Sequence, residues 1–203
     1  IADVYAFCIS ELTDAATLLA GVDFGDAGRS DADRFRANEW GAKALLARVL
    51  LYSGDLAEAG AVANDVITNG GYALTTAYAE NFVPNGNPSE VIFKLFASAN
   101  DQNGLAFQFR KDGGRYEYAP GPQMAAAYEA GDDRMNVIGL SADGSLQVEK
   151  YADTGTGTDQ PVILRLAEMY LIRAEANLGS AQADNDLNEL RNRAGLADIS
   201  GAT

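Results

Sequence analysis

PVILRLAEMYLIRAEANLG, Pro161 to Gly179, decides how this chain is read. Leu164, Leu166, Ala167, Tyr170, Leu171 and Ala174 cover nearly the whole circumference of a helix, which predicts a helix packed on both sides, as in a stack of helical hairpins. Yet Arg165, Glu168, Arg173 and Glu175 recur through it. Burying an unpaired charge is costly, so each of the four must reach an edge or find a partner.

Working outward, a helix is expected from about 163 to 178 and another from 183 to 194, the latter ended by Gly195. A second pair lies upstream. EWGAKALLARVLLYS follows Asn38 and runs into Gly54-Asp55, and a helix over 55–69 places Leu56, Ala59, Val62, Ala63, Val66 and Ile67 on one face. Aligning Gly54 with Gly179 superimposes the pairs 38–69 and 162–194, with Arg48 and Arg173 at one offset before the turn. A GDLAEA turn followed by a small-residue helix is the tetratricopeptide pattern. The first helix, 3–20, places Val4, Phe7, Cys8, Leu12, Ala15, Leu18 and Leu19 at helical spacing. A glycine-broken loop is expected at 21–33.

The middle third differs. VIFKLF (91–96), LAFQF (105–109) and LQVEKY (146–151) read as short strands or extended chain, and a short helix is expected at 122–130. The expected fold is therefore mainly α: tetratricopeptide-like helical hairpins with a loop-rich, short-strand insertion between them. One domain spans 1–203, with a helical scaffold at 1–74 and 161–196 and the insertion at 75–160. About 90 residues between the hairpins do not suit a pure solenoid, whereas a scaffold carrying a loop-built face accommodates them.

Composition narrows the chemistry. A formal charge of −14 argues against nucleic acid or an anionic membrane face as partner. No run of about 18 apolar residues exists. The chain has no His, which removes the commonest general base and metal ligand and every Ser–His or Cys–His triad. Cys8 is the only cysteine; it reads as a buried, inert thiol. Asp153 to Asp159 offers oxygen ligands in a loop without the order of an EF-hand, and neither GVDFGDAGRS nor NGGYAL completes a phosphate-binding pattern. No cofactor and no metal site is expected.

Three stretches together resemble the SusD/RagB family of cell-surface nutrient-binding lipoproteins: 42–74 (AKALLARVLLYSGDLAEAGAVANDVITNGGYAL), AYEAGDDR (127–134), and 150–196, from KY through PVILRLAEMYLIRAEA to DLNELRNRAGL. The match covers nearly the whole chain and is weakest at 97–120. The resemblance implies a fragment or short version of a longer protein, an N-terminal lipid anchor outside this chain, and a surface-exposed place on the outer membrane. It also implies a non-enzymatic binder that passes oligosaccharide, or another polymer-derived nutrient, to a TonB-dependent, SusC-like transporter. In that family the Asp132-Asp133-Arg134 turn is structural.

A sugar presents apolar C–H faces and hydroxyl edges, so its site needs aromatic planes beside hydrogen-bonding groups. NDQNGLAFQFRKDGGRYEY (100–118) supplies both. Phe107, Phe109, Tyr116 and Tyr118 are candidate planes; Asn100, Asp101, Gln102, Asn103, Arg110 and Arg115 are candidate polar partners. The competing reading packs the phenylalanines under the loop and spreads the tyrosines over the helices. Trp40, Tyr52, Tyr72 and Tyr170 read as core. Two other functions are weighed: a tetratricopeptide-type adaptor for protein segments, against which sparse basic residues and interrupted repeats count, and an acidic glycoside hydrolase, for which no carboxylate pair stands out.

Overall fold

The computed structural model describes residues 1–22, 34–84 and 86–202. The loop expected at 21–33 lies, beyond Val22, outside the described residues. The chain is mainly helical with short strands between its helices. Helix α1 (Ala2–Leu18) packs on α2 (Glu39–Ser53), α2 on α3 (Leu56–Asn69), α3 on α6 (Leu166–Ala176), and α6 on α7 (Ala181–Arg193).

Local chemistry sets the boundaries. The Asn38 side chain accepts from the Gly41 amide (2.8 Å), capping α2. Gly54 takes a left-handed conformation (φ 92°) that lets the Asp55 amide reach back to Leu50 O, and the Asp55 side chain then caps α3. Gly179 (φ 80°) and the Ser180 cap repeat the device between α6 and α7. Small residues bring the helices close: Ala44, Ala47, Ala59 and Ala63 are buried, and a Cβ on Gly60 would stand 2.7 Å from the Ala176 methyl. Leu46, Leu50, Val66, Leu166, Met169 and Ile172 fill the core around them.

The structure departs from the sequence-based expectations in several places, among them the helix expected at 122–130, which ends at Ala126. Residues 162–165 are not the first turn of a helix but strand β4 (Val162–Arg165), paired antiparallel with β1 (Val91–Lys94). Pro161 and the β-branched pair Val162-Ile163 suit extended chain, and pairing with β1 satisfies its backbone. LAFQF is not extended but a one-turn helix, α4 (Leu105–Phe109). Tyr52 is not core: it lies on the last turn of α2 and is 69% exposed. In α1 only Ala16 is buried; Ile9 and Leu12 pack against the core, Cys8 is half-buried, and Val4, Phe7 and Leu18 face outward. Tyr72 is buried, and Trp40 and Tyr170 are half-buried against the same core.

Three of the four charges flagged on the deciding segment are paired. Arg165 meets Glu90 (3.1 Å), Glu168 takes a bidentate pair from Arg48 (2.5 and 2.6 Å), and Arg173 takes Asp186 through two nitrogens (2.9 and 2.6 Å). Glu175 reaches the surface. Arg48 and Arg173, equivalent in the alignment of the hairpins, thus each tie one helix to a carboxylate on another.

Between the hairpins lie two 3-10 turns (Tyr78–Phe82 and Asp133–Val137), the short helix α5 (Pro122–Ala126), and the antiparallel hairpin β2 (Ile138–Leu140) and β3 (Leu146–Val148). Asp132 is buried, caps the second turn and grips Arg134 through both carboxylate oxygens. The Asp153 carboxylate is filled by the amides of Gly155, Thr156 and Thr158 and by both threonine hydroxyls, so this loop closes on itself.

Candidate functional site

The 100–118 segment is anchored at three places. Asn103 ties its start down: the side chain accepts from the Leu105 amide (2.9 Å) and donates to Asp159 O (3.0 Å). The second anchor is Gln147 on β3, which is buried. Its Oε1 accepts from the amides of Lys111 (3.0 Å) and Asp112 (3.3 Å), and its amide nitrogen donates to Asp112 and Glu149. One glutamine thus satisfies a whole turn of backbone. Glu149 also takes Arg110 in an ion pair, so Arg110 is turned toward β3. The third anchor is Tyr116, whose hydroxyl donates to Leu146 O (2.6 Å) while its backbone holds a left-handed conformation (φ 55°) uncommon for a residue with a side chain.

These anchors fold 115–118 back along α4. Arg115 donates its amide to Phe107 O (2.7 Å), and Glu117 and Tyr118 donate to Gln108 O (2.8 and 3.2 Å). The approach is so close that a Cβ on Gly114 would lie 2.4 Å from Arg110 O and 2.5 Å from Phe107 O. Only glycine fits there.

The fold-back brings Phe109 and Tyr118 together, ring centroids 5.7 Å apart and tilted by 46°. Phe109 is half-buried beneath; Tyr118 is 57% exposed above it. Phe107 is 41% exposed, and because residues two apart on a helix point about 200° apart, it faces away from Phe109. The competing reading, which packs both phenylalanines on one face under the loop, required LAFQF to be extended and does not survive its being helical. Arg115 is exposed and only loosely held by Glu117 (3.1 Å), and Asn100, Asp101 and Gln102 are exposed around the small Ser98–Asp101 bridge.

The sequence-derived positions therefore divide, Asp101 falling with the exposed ones. Asn103, Arg110 and Tyr116 hold the loop. Phe109 backs Tyr118. Phe107, Tyr118, Arg115, Asn100 and Gln102 remain on the surface. Such a face can stack an apolar ring face and donate hydrogen bonds to hydroxyls. Around it, Lys111 and Asp143 form an exposed ion pair; the Asp143 carboxyl is held below its ordinary range by Lys111 and by the Ser141 and Ser145 groups. Among the described residues no cluster of three His, Cys, Asp or Glu side chains could hold a metal ion.

Sequence reasoning missed Gln147, which organises this region, and Glu90, which ties the middle third to the frame. Gln147 sits in LQVEKY, where alternation with the apolar Leu146 and Val148 assigns it, with Glu149, to the polar face, yet the structure buries it. Glu90 precedes the β1 strand and is fully buried. It receives Arg165, Arg193, the Thr75 hydroxyl and the Asn81 amide, joining the middle third to both β4 and α7. Burial pushes its carboxyl up, but the Asn81 hydrogen bond and the charges of Arg193 and Arg165 outweigh this and hold it below its ordinary value.

Similar solved structures include a putative sugar binding protein from Bacteroides vulgatus (25% identity, TM-score 0.80), covering 98% of this chain and 47% of that one. A SusD superfamily protein from the same organism is 28% identical, with TM-score 0.73 over 95% of this chain and 46% of that one. Surface glycan-binding protein A from Bacteroides uniformis, at 20% identity and TM-score 0.77, shares the fold over 99% of this chain and 52% of its own. The chain thus spans about half the length of the structures it matches. No curated protein matches it. The SusD family model matches residues 64–203, well over half of the chain, and the protein belongs to the SusD family.

Proposed function

We propose that this protein binds oligosaccharide, or another polymer-derived nutrient, at the cell surface and delivers it to a TonB-dependent, SusC-like outer-membrane transporter. In this reading it is a surface-exposed lipoprotein of the outer membrane and a binder, not a catalyst. Family membership supports the general role, and several solved relatives carry sugar- or glycan-binding titles. We read α2–α3 and α6–α7 as tetratricopeptide-like hairpins, supported by their matching glycine turns and the close Gly60–Ala176 crossing. Residues 1–74 and 161–196 then form the scaffold and 75–160 the insertion of one domain.

The observation that carries the ligand-binding reading is the Tyr118–Phe109 pair. An exposed aromatic plane is backed by a second ring and fixed by backbone hydrogen bonds to α4, so little conformational freedom is lost when a sugar stacks on it. Calorimetric titration with a panel of neutral gluco-, xylo- and manno-oligosaccharides tests it. Binding of at least one member, weakened about tenfold in Tyr118→Ala, is expected; unchanged binding in that variant removes the loop from consideration. Product analysis of the same mixtures should return the glycan intact, whereas shortened products would favour a hydrolase.

A further inference from the structure

Away from the 100–118 loop, a cleft of about 530 Å³ opens between the end of α2, the Tyr78–Phe82 turn and β4. Arg48, Tyr52, Phe82, Lys150, Arg165 and Glu168 line it. Two properties set it apart. The first is charge: the chain carries 29 acidic residues against 15 basic ones, yet basic residues predominate here. Arg48 is occupied by Glu168, and Arg165 shares Glu90 with Arg193, so these three arginines and Lys150, four cations, face two carboxylates. A further carboxylate near the cleft wall, Asp159, is buried and accepts from the Asp153 amide. Among the described residues no carboxylate lies within ion-pair distance of Lys150. Its ammonium rests instead over the rings of Phe82 (5.1 Å) and Tyr78 (5.4 Å), and the Arg165 guanidinium lies 5.9 Å from that same Phe82 ring. A cation held against aromatic faces keeps its charge available to an incoming anion, because ring quadrupoles neutralise it only in part.

The second property is an aromatic plane at the mouth. Tyr52, more exposed than either surface aromatic of the 100–118 loop, stands on the last turn of α2 beside Arg48. Its surroundings are ordered: Phe82 packs edge-to-face on Tyr78 (5.3 Å) and Tyr151 (5.9 Å), and the Tyr151 hydroxyl accepts from the Val162 amide. A plane for an apolar ring face and a cation without a carboxylate partner, lining one cleft, match a pyranose that carries a carboxylate.

We propose that this cleft binds a uronic acid unit of an oligosaccharide, with Tyr52 against its C–H face and Lys150 on its carboxylate. The proposal rests on the reading that the protein binds saccharides, and it adds a second site selective for acidic sugars.

Titration with trigalacturonate, and with its fully methyl-esterified form as the uncharged comparison, tests the cleft. The acid is expected to bind, at least tenfold more tightly than the ester, with affinity falling as salt rises. Lys150→Gln and Tyr52→Ala should each weaken it about tenfold or more, and Lys150→Arg should retain binding. Because Tyr52 lies at the surface, its removal leaves the core intact, and an unchanged melting curve confirms that each variant is folded. Absence of acid binding, equal binding of acid and ester, or indifference to both Lys150→Gln and Tyr52→Ala overturns the proposal. Neutral glycans separate the two readings. If they bind through Tyr118 while trigalacturonate does not bind, only the cleft falls; if no saccharide binds, both readings fall together.

Discussion

The helical pairs and the 100–118 loop solve opposite problems with the same residue types. In and against the helical pairs charged side chains are turned inward and consumed by one another: Glu90, just before β1, with Arg165 on β4 and Arg193 on α7, Arg173 with Asp186, Arg48 with Glu168. In the loop the backbone is consumed instead. Gln147, Asn103 and the carbonyls of Phe107 and Gln108 take up the turn, and large side chains are left facing water. The lesson is that exposure of Tyr118 is not a packing failure. It follows from a backbone that is fully held without help from that ring.

The contrast can be broken most severely at Glu90. Glu90→Ala leaves the half-buried Arg165 and Arg193 without their buried carboxylate, and a stability loss of about 3–5 kcal/mol is expected by urea unfolding. The same residue sets a pH dependence. Its folded-state carboxyl lies below the ordinary value, so its contribution is fully present above the unfolded-state range near pH ~4.3 and is lost as pH falls through the folded value. Unfolding midpoints measured between pH 7 and 3 should drop in the acid range, and the drop should be shallower in Glu90→Gln.

Next in size is the crossing of α3 and α6. Gly60→Leu must displace Ala176, and a loss of about 1–3 kcal/mol is expected, partly recovered when Ala176→Gly is added. Thermal melts of the single and double variants check this.

A smaller effect is expected at Gln147. Gln147→Ala strands the Lys111 and Asp112 amides, costing about 1–2 kcal/mol, since the surface turn regains some water contacts. Hydrogen exchange should quicken at 110–118 and stay unchanged in α2, α3, α6 and α7. Least of all, Tyr118→Ala should change stability by less than about 0.5 kcal/mol, as a surface residue whose backbone bonds persist.

Much of this was legible in the residues. Asn38, Gly54-Asp55 and Gly179 announced helix ends because caps and left-handed turns are local chemistry, whereas the Ser180 cap went unread and α7 begins at Ala181, ahead of the expected 183. The demand that Arg165, Glu168, Arg173 and Glu175 pair or reach an edge was also readable, though the partners Glu90, Arg48 and Asp186 were not. Those depend on which segments meet in space. Short elements were less legible for the same reason. VILR became a strand only because β1 lies beside it, and LAFQF became a helical turn because Asn103 and the returning 115–118 chain fix it; five residues carry too little pattern to tell the two apart. In the candidate loop, residue type identified the aromatic planes, but the split between anchor (Tyr116, Arg110, Asn103) and surface (Tyr118, Phe107, Arg115) required the fold.

The division of labour between frame and loop is tested most directly by native-state hydrogen exchange of the intact protein, with and without a saturating neutral oligosaccharide that binds in calorimetry. The structure predicts added protection across residues 107–118, with the amides of α2, α3, α6 and α7 unchanged. Protection gained within those helices, with none at 107–118, would contradict it.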